Sequence, residues 1–204
     1  MAEKIYRAST GVDGFYYGEI DESTNELLAD KNIERVKFLQ TINIEMPQEI
    51  VRAHGDNRTA EMATSSGDIT VTSGFHKIPL EDKERLLGWE KVEEIYSVGS
   101  NDISPYVAVI FTRTYEDGSN EYVGLPKGLF TRPNVEGNTK EDSVEFSSEE
   151  IEAQFMDRKV EGFSEDKSVL FAVDKKGETS NRDKLITLLF GEGAVLDNED
   201  PEGA

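Results

Sequence analysis

Ile33-Glu34-Arg35-Val36-Lys37-Phe38-Leu39-Gln40-Thr41-Ile42-Asn43-Ile44-Glu45-Met46-Pro47 is the stretch that decides the fold class. Val36, Phe38, Ile42, Ile44 and Met46 fall on even positions, with Lys37, Thr41, Asn43 and Glu45 between them. Period two marks a strand with one face buried and one wet, because successive side chains of an extended chain point to opposite sides. Only Leu39-Gln40 breaks the alternation. Pro47 has no amide proton to donate, so it ends this long strand or bends it.

Outward from this stretch the pattern repeats. On the N-terminal side, Phe15 to Ile20 is a short strand and residues 1–12 read as a polar arm. On the C-terminal side, residues 47–67 are polar over about twenty positions, a long loop or exposed hairpin of a length that is often functional. Ile69, Val71 and Phe75 alternate with Thr70, Thr72 and Gly74, which is a further strand. Ile78 to Gly88 reads as one short helix, with Pro79 tolerated in its first turn, acids early, Arg85 late and Gly88 as C-cap. Pro105–Tyr115 and Glu121–Phe130 are strands joined at Asp117-Gly118, where the loop can exceed two residues. Val144 and Phe146, then Ile151, Ala153 and Phe155, alternate with polar residues, and the parity slips near Ser147-Ser148, as at a bulge or turn. Ser168–Asp174 is the last strand. Ser180 to Phe190 reads as a second helix, capped by Ser180 or Asn181 and stopped at Gly191. The sum is a mainly β chain: two packed antiparallel sheets, a β-sandwich or partial barrel, flanked by a short helix, with a second helix near the C-terminus and extended arms. The division expected is an arm at 1–12, a domain at 13–190 and an acidic tail at 191–204.

Charge is the dominant compositional fact. Asp and Glu number 42 against 22 Lys and Arg, a net charge of −20. A free chain of this balance repels nucleic acid, because DNA binding needs cations that displace counterions from phosphate. Such acidity serves solubility, or a surface that stays near DNA without adhering to it. There is no cysteine, hence no disulfide, thiolate metal site or cysteine nucleophile. No apolar run is long enough for a membrane span, and the first residues lack a secretory core, so the chain is expected to stay where it is made.

Chemistry is sparse. His54 and His76 are the only histidines, one in the polar loop and one at a strand end. No phosphate loop, dinucleotide fingerprint, EF-hand or nucleophile elbow is present. Glu141 to Asp166 holds ten acids against Arg158 and Lys159, so carboxylates fall close by chance and carry no hydrolase argument. Their arrangement carries more: Glu150 and Glu152 share one side of a strand and Ile151, Ala153 and Phe155 the other. Trp89 reads as a core anchor. No cofactor or metal is expected, and no catalytic residue.

Ser104 to Phe111, followed by Glu121-Tyr122-Val123, Lys127-Gly128 and Thr139 to Phe146, resembles the major tail proteins of long non-contractile-tailed bacteriophages of Gram-positive bacteria. Thr64 to Gly67, Asp68 to Val71 and Leu80 to Gly88 are similar to that family in the same order, and the resemblance spans roughly residues 30 to 190. It implies a structural, non-enzymatic virion protein whose hexameric rings stack into a tube, with neighbouring sheets closing an inner barrel. Phage DNA passes through that tube without specific binding. The implied partners are further copies of the chain and other tail proteins (tape measure, distal tail and terminator), with no membrane partner, and the implied location is the virion tail after assembly in the host cytoplasm. The long loop then reaches the adjacent ring through Arg52, His54, Asp56, Asn57 and Arg58. Acids on strands whose neighbours point into the core, namely Glu45, Glu145, Glu150 and Glu152, are the candidates for the lumen. Two other readings remain open at this point: a tube protein of a contractile tail or injection system, and a monomeric carbohydrate-binding β-sandwich.

Overall fold

The computed structural model describes residues 8–28, 32–55, 58–135, 148–194 and 196. Val144, Glu145, Phe146, Asp56, Asn57, residues 1–7 of the arm and 197–204 of the tail lie outside the described residues.

The strand pattern holds, with two corrections. β1 runs Ser9–Glu19, so residues 9–12, read as arm, belong to the sheet. The long strand at 33–46 is two strands, β2 (Glu34–Val36) and β3 (Leu39–Glu45). Between them Phe38 adopts φ 62° and turns its ring out, 74% exposed. Leu39 takes the inward position in its place, and a register shift between Leu39 and Thr41 restores the parity for Ile42 and Ile44. The break at Leu39-Gln40 in the sequence is therefore a kink between two strands. β4 (Gln48–Gly55) and β5 (Arg58–Ser66) turn the polar stretch into a hairpin. β6 (Ile69–Phe75) and α1 (Leu80–Leu87) follow, with Gly88 in the left-handed C-cap conformation. A side chain at Gly88 would collide with the Ile103 carbonyl oxygen. Residues 90–97 form a short hairpin that periodicity does not reveal, β7 (Glu90–Val92) and β8 (Ile95–Ser97). β9 (Val107–Tyr115), β10 (Asn120–Phe130), β11 (Glu149–Phe155), β12 (Leu170–Asp174) and α2 (Ser180–Phe190) complete the chain.

Eight strands form one antiparallel sheet in the order β2-β1-β9-β10-β11-β6-β3, with β12 also on β10. β10 is the pivot. Its first half, Asn120–Gly124, pairs with β12, and its last residues, Gly128–Phe130, pair with β11. A bulge between Leu125 and Gly128 separates the two. The sheet curls there, so the two packed layers expected from the sequence are two halves of one sheet, and the described strands close no barrel. Phe15 of β1 meets Phe75 of β6 edge to face at 5.1 Å, and Phe130 meets Phe155 at 6.3 Å. Leu86 and Leu87 of α1 join this inner core, and Trp89 packs against it.

A second core lies on the other face of β1-β9-β10-β12, under α2. Leu185, Ile186, Leu189 and Phe190 pack on Tyr16, Ile110, Tyr122 and Leu170. Gly18 and Gly124 permit the close approach, since a Cβ at either would lie 2.7 to 2.8 Å from Leu27 or Leu189. The α2 cap differs from the sequence reading. Thr179 occupies the N-cap without a side-chain bond to the helix backbone. The amides of Asn181 and Arg182 donate instead to the carboxylate of Asp174, at 3.1 and 2.9 Å, from the end of β12. At the other end Arg158, 5% exposed, donates to the carbonyls of Leu188, Leu189 and Pro126. One buried cation thus caps the helix and ties it to the β10 bulge.

Candidate functional site

Two surfaces are built on the β3–β6–β11 half of the sheet. The first is its outward face. The register sets Glu152 level with Thr72 and Asn43, Glu150 with Gly74 and Thr41, and Gln154 with Thr70 and Glu45. Ile151, Ala153 and Phe155 alternate with these residues of β11 and are 0–2% exposed, while Glu150, Glu152 and Glu45 are exposed. Strand parity therefore brings three of the four sequence-predicted acids onto one face; Glu145 lies outside the described residues. The outward positions of the three strands hold three carboxylates, hydroxyls and amides, and no lysine or arginine among the described residues. The threonines, Asn43 and Gln154 were not singled out from the sequence, although their alternation with Val71 and Ile44 carries the signal.

Glu149 follows the opposite parity and turns to the end of the sheet. It accepts from the Ile78 amide at 3.0 Å and pairs with Lys83 at 2.9 Å. Partial burial opposes its charge, but these bonds outweigh it and hold the carboxyl below its ordinary range. α1 is thereby clamped to β11. On its other side α1 meets β1: Tyr17 donates to Asp82 at 2.7 Å, and Arg85 bonds Glu19 at 2.9 Å and Glu34 at 2.6 Å. Burial raises the Asp82 carboxyl above its usual range and the Tyr17 hydroxyl far above its own.

The second surface is the β4–β5 hairpin. It continues β3 and β6 past Pro47, where the Gly67 amide donates to the Pro47 carbonyl at 3.0 Å. Eight residues of β4 carry it roughly 25 Å beyond the sheet. Arg52 pairs with Met62, His54 with Thr59 and Gly55 with Arg58 in its ladder. Every described side chain of Gln48–Ala53 and Glu61–Ser66 is exposed, including Ile50, Val51 and Met62. A two-stranded ribbon exposing apolar groups on both faces is marginal in water by itself.

A catalytic centre needs a recess with an acid, base or nucleophile in reach. A recess beside Phe38 is lined by Asp13, Arg35 and Lys37, where Asp13 is bonded to Arg35 at 3.2 Å. Among the described residues no group of three His, Asp or Glu is placed to hold a metal ion, and no helix is long and apolar enough to cross a membrane.

No curated protein matches the chain. A family model described as phage tail tube protein matches residues 8–191, which takes in the curled sheet, both helices and the protruding hairpin. The chain therefore belongs to the phage tail tube protein family, a structural and non-enzymatic family of virion tail components that assemble with themselves and with other tail proteins.

Proposed function

We propose that this chain is the major subunit of a long non-contractile tail, forming hexameric rings that stack into the conduit for DNA ejection. The observation that carries the reading is the outward face of β3–β6–β11, with Glu45, Glu150 and Glu152 and no described cation. In the assembled tube this face lines the lumen. Fixed carboxylates repel phosphate within a Debye length of about 8 Å at physiological salt, so DNA slides without adhering. A lysine or arginine there would act as a brake. β3 is an edge of the sheet, and an edge left open invites pairing with another chain. Rings closed through such edges leave none exposed. The β4–β5 hairpin, through Arg52, His54, Asp56, Asn57 and Arg58, reaches the adjacent ring. Tape measure, distal tail and terminator proteins meet the ends of the stack, and assembly takes place in the host cytoplasm.

Negative-stain electron microscopy of the purified chain over rising concentration, with tail-tip components added, tests this reading. Rings or tubes of uniform width are expected, and a helical reconstruction then places Glu150 and Glu152 on the inner wall. A chain that stays monomeric with those components present, or tubes with both residues on the outer wall, refutes it.

A further inference from the structure

The hairpins β4–β5 and β7–β8 leave the sheet at opposite poles. At the Ile69 end of β6, Thr70 faces Glu45 and the chain continues into β4–β5. At the Phe75 end it continues into α1 and then β7–β8. The segment after β8 is tied to that same pole: Ser104 Oγ donates to the Phe130 carbonyl at 3.0 Å, and Arg132 pairs with Asp102 at 3.8 Å. Each hairpin is a two-stranded ribbon with no third strand among the described residues. Each carries apolar side chains into solvent. Ile50 is 61% and Met62 67% exposed, on one face of β4–β5 with Arg52 across from Met62. Val92 is 61% and Ile95 72% exposed, and they are cross-strand partners on β7–β8. Between them Glu93 holds a left-handed φ of 54°, the conformation that a two-residue hairpin turn requires. The charges also match. Arg52 stands within the first face, while Glu90, Glu93 and Glu94 edge the second against a single Lys91.

We infer that the Ile50–Met62 face of β4–β5 in one copy docks on the Val92–Ile95 face of β7–β8 in the next copy along the tube. This rests on the tube reading above and adds the surface that receives the hairpin. A contact between unlike poles of identical chains is heterologous and propagates without closing on itself, which is what stacking requires. It removes Ile50, Met62, Val92 and Ile95 from water at once and supplies each ribbon with packing that two strands lack.

The chain has no cysteine, so every thiol in the test is an introduced one. Full-length chains carrying Met62→Cys are mixed with chains carrying Ile95→Cys, assembled into tubes and oxidised. A covalent dimer is expected on a non-reducing gel from tubes and not from unassembled chains. The Ile50→Cys and Val92→Cys pair covers a register displaced along the ribbons, with a short bismaleimide as linker. Ile95→Asp is expected to raise the concentration needed for assembly roughly tenfold or more, with an unchanged circular dichroism spectrum and melting point. Tubes in which neither pair cross-links, or in which Ile95→Asp assembles like the parent chain, overturn the docking and leave the tube reading standing. Cross-links from Ile95→Cys solely to a different tail protein overturn it too. A parent chain that forms neither rings nor tubes with tail-tip components present overturns both.

Discussion

Phe38 sits at φ 62°, where the Cβ of an L-residue crowds the backbone, and its ring gains little because it is 74% exposed. The His76 amide donates to its carbonyl at 3.1 Å and pins the kink. Asparagine tolerates the left-handed region, so Phe38→Asn is expected to gain up to about 1 kcal/mol, read as a higher urea midpoint with an unchanged slope. Two carboxyls give opposite pH dependences. Asp82 has its folded value raised by burial, so its contribution to stability is fullest below the ordinary carboxylate range and is lost as pH rises through the raised value. Glu149 has its folded value lowered, so its contribution is present above the ordinary range and is lost as pH falls through the lowered value. Melting curves from about pH 3 to about pH 7 should therefore separate the variants. Asp82→Asn, whose amide oxygen still accepts from Tyr17, should gain on the parent chain as pH rises. Glu149→Gln should lose at neutral pH and converge with the parent in acid.

At the scale of elements, α2 depends on groups far from it in sequence. The Asp174 carboxylate, 1% exposed, takes two amides of its first turn, and Arg158 takes two carbonyls of its last. Asp174→Ala leaves those part-buried amides without their acceptor and should cost about 2 kcal/mol in thermal or urea unfolding. Asp174→Asn should recover part of that. The equivalent capping change at Thr179, whose side chain bonds no helix amide, should cost far less.

At the scale of the whole molecule, the outward face of β3–β6–β11 carries carboxylates and no described cation. Replacing Glu45, Glu150 and Glu152 together by lysine alters exposed positions only, so folding and tube formation should persist. In the lumen reading the change puts three cations per subunit on the DNA path. Tubes of the triple variant should retain labelled DNA at low salt and release it as salt rises, while parent tubes retain none. Equal retention by both tubes would remove the lumen assignment.

The strands and both helices were legible from single residues and their spacing. Val71 beside Thr72, or Ile151 beside Glu152, states which side is buried, because a strand has two sides and a period of two. The same parity placed Glu150 and Glu152 on the wet face. What the sequence did not disclose depends on contacts across the chain. Phe38 follows the buried parity, yet its backbone turns it outward, since only the tertiary path from β2 to β3 demands a kink there. Ser180 and Asn181 have capping chemistry, but Asp174 takes the amides because the end of β12 lies against the helix. The β7–β8 hairpin is too short for its period to register. By itself, the sequence determined the β class, the helix positions, the absence of thiol chemistry and the acidity, all set by local residue chemistry. The tertiary structure alone decided that one sheet curls at the β10 bulge and that Glu45 shares a face with Glu150 and Glu152. It also decided that two apolar ribbons stand at opposite poles, because register and curl are fixed by pairing between strands distant in sequence.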